Sequence, residues 1–196
     1  MKIAKKWTKF LIGLVVLSFG LVLTIKSNLG VRPWDVFHIG LTKYFDITIG
    51  QASQLTGLAV IIISFLIIRV KPTLGTIISI IIVGFLIDLV VAFIPQPVNI
   101  IWQYLYLFCG ILIFGTGVGT YISAQCGAGP RDNLMIALHK KLKFKLGIIR
   151  NGIEVIILVI GSILGGPVGI GTVCAALGTG PVVEFSLNMM NDSNDN

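Results

Sequence analysis

The stretch SNLGVRPWDVFHIGL, residues 27–41, places a glycine, a proline and an aspartate directly after the first long apolar segment of the chain. A similar stretch, AQCGAGPRDNLMIAL, occupies residues 124–138 and also follows a long apolar segment. Turn-forming and charged residues are costly in an apolar environment. Their occurrence twice in the same order indicates that this Gly-x-x-Pro-x-Asp element has a structural or functional role.

The sequence around these elements is strongly apolar. Of its 196 residues 55% are hydrophobic and 12% are charged, and the mean hydropathy is +0.96. Soluble domains have about 25% charged residues, so this chain lacks the polar groups that would cover a water-exposed surface. Segments 73–94 and 100–122 are long enough to cross ~30 Å of hydrocarbon at ~1.5 Å per residue. The composition predicts an all-α integral membrane protein that contacts the lipid bilayer.

Charge and cysteine content argue against several other classes. The net charge of +7 comes from lysines and arginines at the ends of apolar segments, where such residues fix orientation, so we expect no nucleic-acid partner. Cys109, Cys126 and Cys174 lack metal-ligand spacing, and the two histidines do not join them. Neither a Walker motif nor a catalytic-triad order is present. We therefore expect no metal, no cofactor and no enzymatic activity.

Apolar periodicity predicts six membrane spans and two short helices that do not cross. The N-terminal segment resembles a signal peptide, but no small-x-small cleavage site follows it, so we interpret it as the first span. The short segments, 33–45 and 130–143, are too short and too polar for full spans. The six spans are expected at about residues 8–25, 51–69, 73–94, 100–123, 148–165 and 170–190.

Both short segments carry signals of a helix start. Pro33 and Pro130 suit a first helical turn, where the missing N–H is not needed. Asp35 and Asp132 follow two residues later and can accept hydrogen bonds from free backbone N–H groups. One apolar face of each helix is expected to pack on the protein; these faces are Trp34, Phe37, Leu41 and Tyr44 or Phe45 in the first helix, and Leu134, Leu138 and Leu142 in the second.

The two halves of the chain resemble each other beyond these elements, which predicts an internal duplication of residues 1–98 and 99–196. Glycine, proline and acidic positions agree in one consistent order, which chance would not produce in the way it matches apolar residues. At an offset of 97 the pairs include Gly13/Gly110, Gly20/Gly117, Gly30/Gly127, Pro33/Pro130, Asp35/Asp132 and Gly50/Gly147, and at an offset of 96 they include Gly75/Gly171, Thr76/Thr172, Gly84/Gly180 and Asp88/Glu184.

The segments LGVRPWDVFHIGL, ITIGQASQLTG and LGTIISIIIVGFLID resemble the YczE branch of the YczE/YyaS/YitT family of bacterial membrane proteins. The Gly-x-x-Pro-Trp-Asp part of the first segment is the most specific. The second half of the chain departs from it, with Arg131 at the position of Trp34. The resemblance implies a location in the bacterial cytoplasmic membrane and supplies no substrate or reaction.

The distribution of basic residues favours six spans with both termini in the cytoplasm. Twelve of the fifteen basic residues then lie inside, and Lys26, Arg32 and Lys43 lie outside; eight spans would give ten inside and five outside. Three spans in each half would insert the second half upside down. Inverted repeats with short or broken helices are typical of transporters, whose binding site lies between the repeats.

Four acidic residues are candidate ligands for a solute, cation or proton. Asp35 and Asp132, in elements completed by Gly30, Gly127, Pro33 and Pro130, are either helix caps or ligands. Asp88 and Glu184 lie inside apolar helices, where a carboxylate costs about 2.5–3.5 kcal/mol. A structural salt bridge, for example with Arg32, Arg131 or Lys26, is the alternative role. We expect both side chains to face the protein interior.

Other polar residues in the apolar segments fit structural roles better. Gln51, Gln54 and Thr56, like Arg150, Asn151 and Glu154, follow Gly50 or Gly147; they either line a polar path or, as we favour, make interhelical hydrogen bonds. The glycines of GTGVGTY, residues 115–121, indicate close helix packing rather than a selectivity filter.

Two functions fit these observations. The first is a small transporter or permease-like protein for a polar or charged solute, and the second is an accessory or scaffold membrane protein. A membrane-embedded enzyme is the least favoured class because no nucleophile–base pair is visible.

The topology can be tested by cysteine labelling. With the native cysteines replaced, we expect a membrane-impermeant maleimide to label Lys43→Cys in intact cells and Lys140→Cys only after permeabilisation. Lys5→Cys is the cytoplasmic control. Labelling of positions 43 and 140 from the same face would contradict the inverted arrangement.

Overall fold

A computed structural model describes residues 3–69, 72–127 and 129–192. Within these residues the chain forms eight α-helices and no strand, so the all-α class is confirmed. Both short segments are helical, as expected. The helices are α1 (Ile3–Lys26), α2 (Pro33–Thr42), α3 (Ile49–Ile68), α4 (Leu74–Phe93), α5 (Ile100–Ser123), α6 (Pro130–Leu142), α7 (Leu146–Ile163) and α8 (Ile170–Asp192).

Five of the described helices, α1, α3, α4, α5 and α8, are long and apolar enough to cross a membrane. The protein is therefore a multi-pass membrane protein. The sixth expected span corresponds to α7, which is not among these five. With 18 residues α7 is ~27 Å long, and it carries Arg150 and Glu154 in its first half.

Local signals in the sequence set several helix ends. Thr48 and Gln51 form a capping box at the start of α3, in which each side chain accepts a hydrogen bond from the backbone of the other. Asn99 caps α5 by accepting from the Trp102 N–H at 3.1 Å. Lipid offers no hydrogen bonds to backbone groups. Each cap therefore satisfies a backbone N–H that would otherwise need a water molecule as its partner.

The chain divides into two compact units, and each unit contains residues from both halves of the sequence. Unit 1 consists of Met1–Arg32, Phe85–Cys126 and Pro167–Asn196. Unit 2 consists of Pro33–Gly84 and Gly127–Gly166. The division at residue 98 therefore does not describe the compact units, and the duplication stays a prediction.

In unit 1, α1 packs directly against α5, and glycines set the contact. A Cβ atom added to Gly13 would lie 2.5 Å from the Tyr121 backbone nitrogen, and one added to Gly20 would overlap the backbone nitrogen of Phe114. Successive contacts move up α1 and down α5, so the two helices run antiparallel. The absence of side chains at these positions lets the two backbones approach, as in other membrane helix pairs.

The same contacts recur with the roles of the two helices exchanged. Gly110 approaches Thr24, with 2.9 Å from an added Cβ to the Thr24 nitrogen, and Gly117 approaches the backbone of Leu17. Adding 97 to the α1 residue number and subtracting 97 from the α5 residue number converts the contact Gly13–Tyr121 into Gly110–Thr24, and the contact Gly20–Phe114 into Gly117–Leu17. The offset of 97 that aligns the two halves in sequence thus also relates the contacts between α1 and α5 to one another.

Two further glycines of α5 contact α8 in unit 1. An added Cβ at Gly115 would lie 2.5 Å from Val182 Cγ1, and one at Gly119 would overlap the Ser186 hydroxyl, which donates to the Thr116 carbonyl at 3.2 Å. The prediction of close helix packing by the glycines of residues 115–121 is confirmed.

In unit 2, each short helix packs on a long helix from the other half of the sequence. Helix α2 lies against α7, and α6 lies against α3. Gly161 of α7 approaches the backbone of Phe37, so the α2–α7 contact is also made through a glycine. Gln54 of α3 packs over Gly84 and donates to the Ile81 carbonyl at 3.0 Å, which confirms its expected interhelical role.

Replacement of Gly20 by alanine should destabilise the protein by about 1–3 kcal/mol, because the new methyl group would overlap the α5 backbone. Gly152→Ala is the matched control, since an added Cβ there meets nothing within 4 Å. It should gain up to about 1 kcal/mol from helix propensity. Thermal unfolding of the purified proteins in detergent measures both, and equal melting temperatures would contradict the α1–α5 packing.

Candidate functional site

The loop before α2 binds the start of α8 within unit 1. Asn28 and Gly30 have positive φ angles of 57° and 103°, which turn the chain sharply after α1. An added Cβ at Gly30 would lie 2.5 Å from the Gly169 nitrogen. The Gly171 N–H donates to the Leu29 carbonyl at 2.7 Å, so this loop satisfies a backbone group at the beginning of α8. Glycine is required at position 30 for both its conformation and its contact.

The equivalent loop before α6 binds the start of α4 within unit 2. Gln125 and Gly127 have φ angles of 56° and 148°, at positions 97 residues after Asn28 and Gly30. An added Cβ at Gly127 would overlap the Thr73 hydroxyl and lie 3.3 Å from the Thr76 nitrogen. Each glycine of the repeated element therefore holds the loop against the first turn of a long helix from the other half.

The first turn of α2 is buried, as expected, and it includes a carboxylate. Pro33 begins the helix, and Asp35 in its first turn is 1% exposed. The predicted apolar face is wrong in its second part, because α2 ends at Thr42, and Tyr44 and Phe45 are exposed.

At the equivalent position, Pro130 is the first residue of α6, and Gly129 precedes it without a side-chain cap. The side chain of Asp132 lies outside the described residues, and so does its expected capping role. Of the three leucines on the predicted face of α6, Leu142 is exposed.

The starts of the two short helices meet within unit 2. The guanidinium of Arg131 lies over the Trp34 ring, 4.5 Å from its centroid. These residues occupy equivalent positions in the two Gly-x-x-Pro-x-Asp elements. The two elements differ here, with tryptophan in the first and arginine in the second, and these two side chains contact each other. Trp34 is 5% exposed, and a cation over an aromatic face is stabilised by the ring quadrupole.

Two buried polar residues, His38 and Arg32, were not predicted as site residues. His38 follows Asp35 by one helical turn and is 1% exposed, with 3.8 Å between its Nδ1 and Asp35 Oδ1. Arg32, in unit 1, lies over the Phe114 ring at 3.5 Å from the centroid. The i, i+3 spacing of Asp35 and His38 in the sequence could have indicated that the two residues are neighbours, because residues at this spacing share a helix face.

The acidic residues of the apolar helices differ in exposure. Asp88 is half-buried on α4, whereas Glu184 is exposed on α8. The prediction that both face the interior is wrong for Glu184. Val182 and Ser186 face α5 in unit 1, and a residue two positions from each of them must point to another side of the helix.

The interhelical bonds favoured for Gln51, Thr56, Arg150 and Glu154 are not what the structure gives these residues. Gln51 caps its own helix, and Thr56 donates to the Ala52 carbonyl of α3 at 2.7 Å. Arg150 pairs with Glu154 one turn later on α7 at 3.3 Å, with an exposed guanidinium.

Among the described residues no group of three or more potential metal ligands lies together. The cysteines are free, and burial raises the pKa of the Cys126 thiol while the charge of Lys6 lowers it less, so this thiol stays protonated and weakly nucleophilic near neutral pH.

The model of a family of unknown function, DUF6198, matches residues 4–188. The chain belongs to this family. It is 37% identical over 183 residues to the "Uncharacterized membrane protein YczE" of Bacillus subtilis (strain 168), covering 93% of this chain and 85% of the relative. It is 30% identical over 170 residues to the "Uncharacterized protein YyaS" of the same organism, covering 85% of each chain. The resemblance to YczE and YyaS is thereby confirmed.

A third relative comes from a different bacterium. An "Uncharacterized protein" of Haemophilus influenzae (strain ATCC 51907 / DSM 11121 / KW20 / Rd) is 31% identical over 180 residues, covering 92% of this chain and 82% of the relative. No solved structure matches the chain. The range that the family model matches, residues 4–188, contains both Gly-x-x-Pro-x-Asp elements of this chain.

The contact between Arg131 and Trp34 can be measured with a double-mutant cycle. We expect Arg131→Gln and Trp34→Leu to be coupled by about 0.5–2 kcal/mol in unfolding free energy, and Arg131→Lys to retain part of that coupling. Arg150→Gln, combined with Trp34→Leu, is the control for loss of an arginine elsewhere and should be additive. Additivity of the Arg131 cycle would show that the two helix starts do not interact.

Proposed function

We propose that the protein moves a small polar or charged solute across the bacterial cytoplasmic membrane, through a site formed by the first turns of α2 and α6. The observation that carries this proposal is the burial of the Asp35 carboxylate at the start of α2. Helix α2 has 10 residues and is ~15 Å long, too short to cross ~30 Å of hydrocarbon. Buried ionisable groups in membrane proteins are costly and typically mark solute or ion pathways.

An inverted-repeat architecture supports a transport function. The antiparallel α1–α5 contact with its reciprocal register is what two halves of opposite orientation would form. The exchange of partners in unit 2, α2 with α7 and α6 with α3, has the same reciprocity. The contact of the equivalent residues Trp34 and Arg131 is expected close to a pseudo-two-fold axis. We propose six spans, three in each half, with the site at this axis and both termini in the cytoplasm.

The candidate residues then have distinct roles. Pro33 and Pro130 set the first turns of the short helices, whose N-termini favour an anionic group of the solute. Asp35 and Asp132 favour a cation or proton at the same place. Asp88, half-buried in α4, is a better candidate for ion coupling than the exposed Glu184.

The competing function is that of an accessory or scaffold membrane protein, in which the polar elements only hold helices together. Gln51 in its capping box and Gln54 in its bond to Ile81 favour this alternative, because both were candidates for a polar path and both make structural contacts. The two functions differ in whether a soluble ligand binds.

A thermal-shift screen of the purified protein against amino acids, inorganic ions and small organic anions and cations separates the two functions. A ligand at about 100 times its dissociation constant adds about 2.7 kcal/mol, which raises the melting temperature by about 5–10 °C for a chain of this size. Asp35→Asn should abolish that shift. Asp46→Asn, which replaces an exposed aspartate after α2, is the matched control and should keep it.

Solute uptake by proteoliposomes then tests transport itself with any compound that gives a shift. Wild-type protein and Asp46→Asn should accumulate the compound, and Asp35→Asn should not. A screen without a single shift at any pH, or a shift with no uptake, would support the accessory function.

A further inference from the structure

Helix α2 carries an aspartate and a histidine side by side in the interior of unit 2. Asp35 and His38 are each 1% exposed, and 3.8 Å separates His38 Nδ1 from Asp35 Oδ1. This distance is within ion-pair range and longer than a hydrogen bond. The pair lies on the buried side of a short helix whose first turn is enclosed by protein.

The elements that pack on α2 bring few charges to this pair. Helix α3 has no titratable side chain between Ile49 and Ile68. The ionisable residues of α7, Arg150 and Glu154, pair with each other. Glu154, the nearer of the two, precedes Gly161, which contacts α2, by seven residues, or ~10 Å along the helix.

Among the described residues, two arginines and a lysine lie close to α2 in the structure or in the sequence. Arg131 of α6 lies over Trp34, the residue before Asp35, and Arg32 immediately precedes α2 in the chain. At the C-terminal end of α2, Lys43 donates to the Gly165 carbonyl at 2.5 Å. No second carboxylate from α3 or α7 therefore competes with Asp35 for the imidazole within the described residues.

We propose that His38 and Asp35 form a proton-binding site in the membrane-embedded part of the protein. The imidazole takes up a proton from a hydronium ion, which leaves a water molecule, and becomes imidazolium, with an N–H on both ring nitrogens. The Asp35 carboxylate, 3.8 Å from the ring, stabilises the new positive charge. Opposite charges attract more strongly in a low-dielectric interior than in water, so burial strengthens this stabilisation.

Histidine is the side chain whose protonation changes near physiological pH, so this site would respond to the pH range that a bacterium experiences. The inference does not depend on transport. A scaffold protein with this pair would bind the proton as well, and a transporter would use it as the coupling site in place of Asp88 or Glu184.

The two histidines of the chain make the site measurable by NMR. In protein with ¹³C,¹⁵N-labelled histidine, reconstituted in nanodiscs, His139→Gln leaves one imidazole signal, that of His38. We expect this signal to titrate between about pH 5 and about pH 9. In the His139→Gln background, Asp35→Asn should move its midpoint to lower pH by at least about one unit, a tenfold loss of proton affinity.

Two further variants control for the aspartate. Asp35→Glu keeps the carboxylate and should leave the midpoint within about a few tenths of a unit, and Asp46→Asn removes an exposed aspartate and should leave it unchanged. If Asp35→Asn does not fold, the titration of His38 in the His139→Gln protein and in Asp35→Glu still decides. A His38 signal that is flat across this pH range, or a shift in Asp35→Asn no larger than in Asp46→Asn, would overturn the proposal.

Discussion

No side chain separates α1 from α5 at four places along their contact, at Gly13, Gly20, Gly110 and Gly117. In lipid, burial of apolar surface does not drive helices together, since the acyl chains are as apolar as leucine. Association depends on how many atoms of two helices come within van der Waals distance. The glycines supply this proximity, and the α5–α8 contact in unit 1 uses the same device on another side of α5.

Many buried hydroxyl groups of the described residues donate hydrogen bonds to carbonyls of their own helix. Ser18 and Thr24, buried in α1, donate to the carbonyls of Leu14 and Leu21 in their own helix. Such bonds satisfy a hydroxyl group without a partner helix. These buried hydroxyl groups therefore need no functional explanation. The pair of Asp35 and His38 is different, because its members carry or accept charge and are not hydroxyl groups that the helix backbone satisfies. A charge-bearing pair in this setting is what distinguishes the start of α2 from the rest of the described chain.

The sequence predicts the helices well because lipid imposes strong limits on composition and length. The start of α2 at Pro33 and of α6 at Pro130 follows from proline chemistry alone. The partners of those helices were not predictable in detail, since periodicity describes one helix at a time. His38 was missed for a related reason: a search for apolar positions on α2 passes over a polar residue that is buried. The exposure of Glu184 was equally hidden, because the face of α8 that packs on α5 depends on glycines of another helix.

The hydrogen bond between the Leu29 carbonyl and the Gly171 N–H has a consequence for biogenesis. Its partners are separated by 142 residues of sequence. At a synthesis rate of ~5–20 residues per second, about 7 to 28 s pass between the emergence of the acceptor and that of the donor. During this time the loop after α1 has been synthesised, but the segment that contains Gly171 has not. The loop after α1 therefore lacks this hydrogen bond until the first turn of α8 has been synthesised.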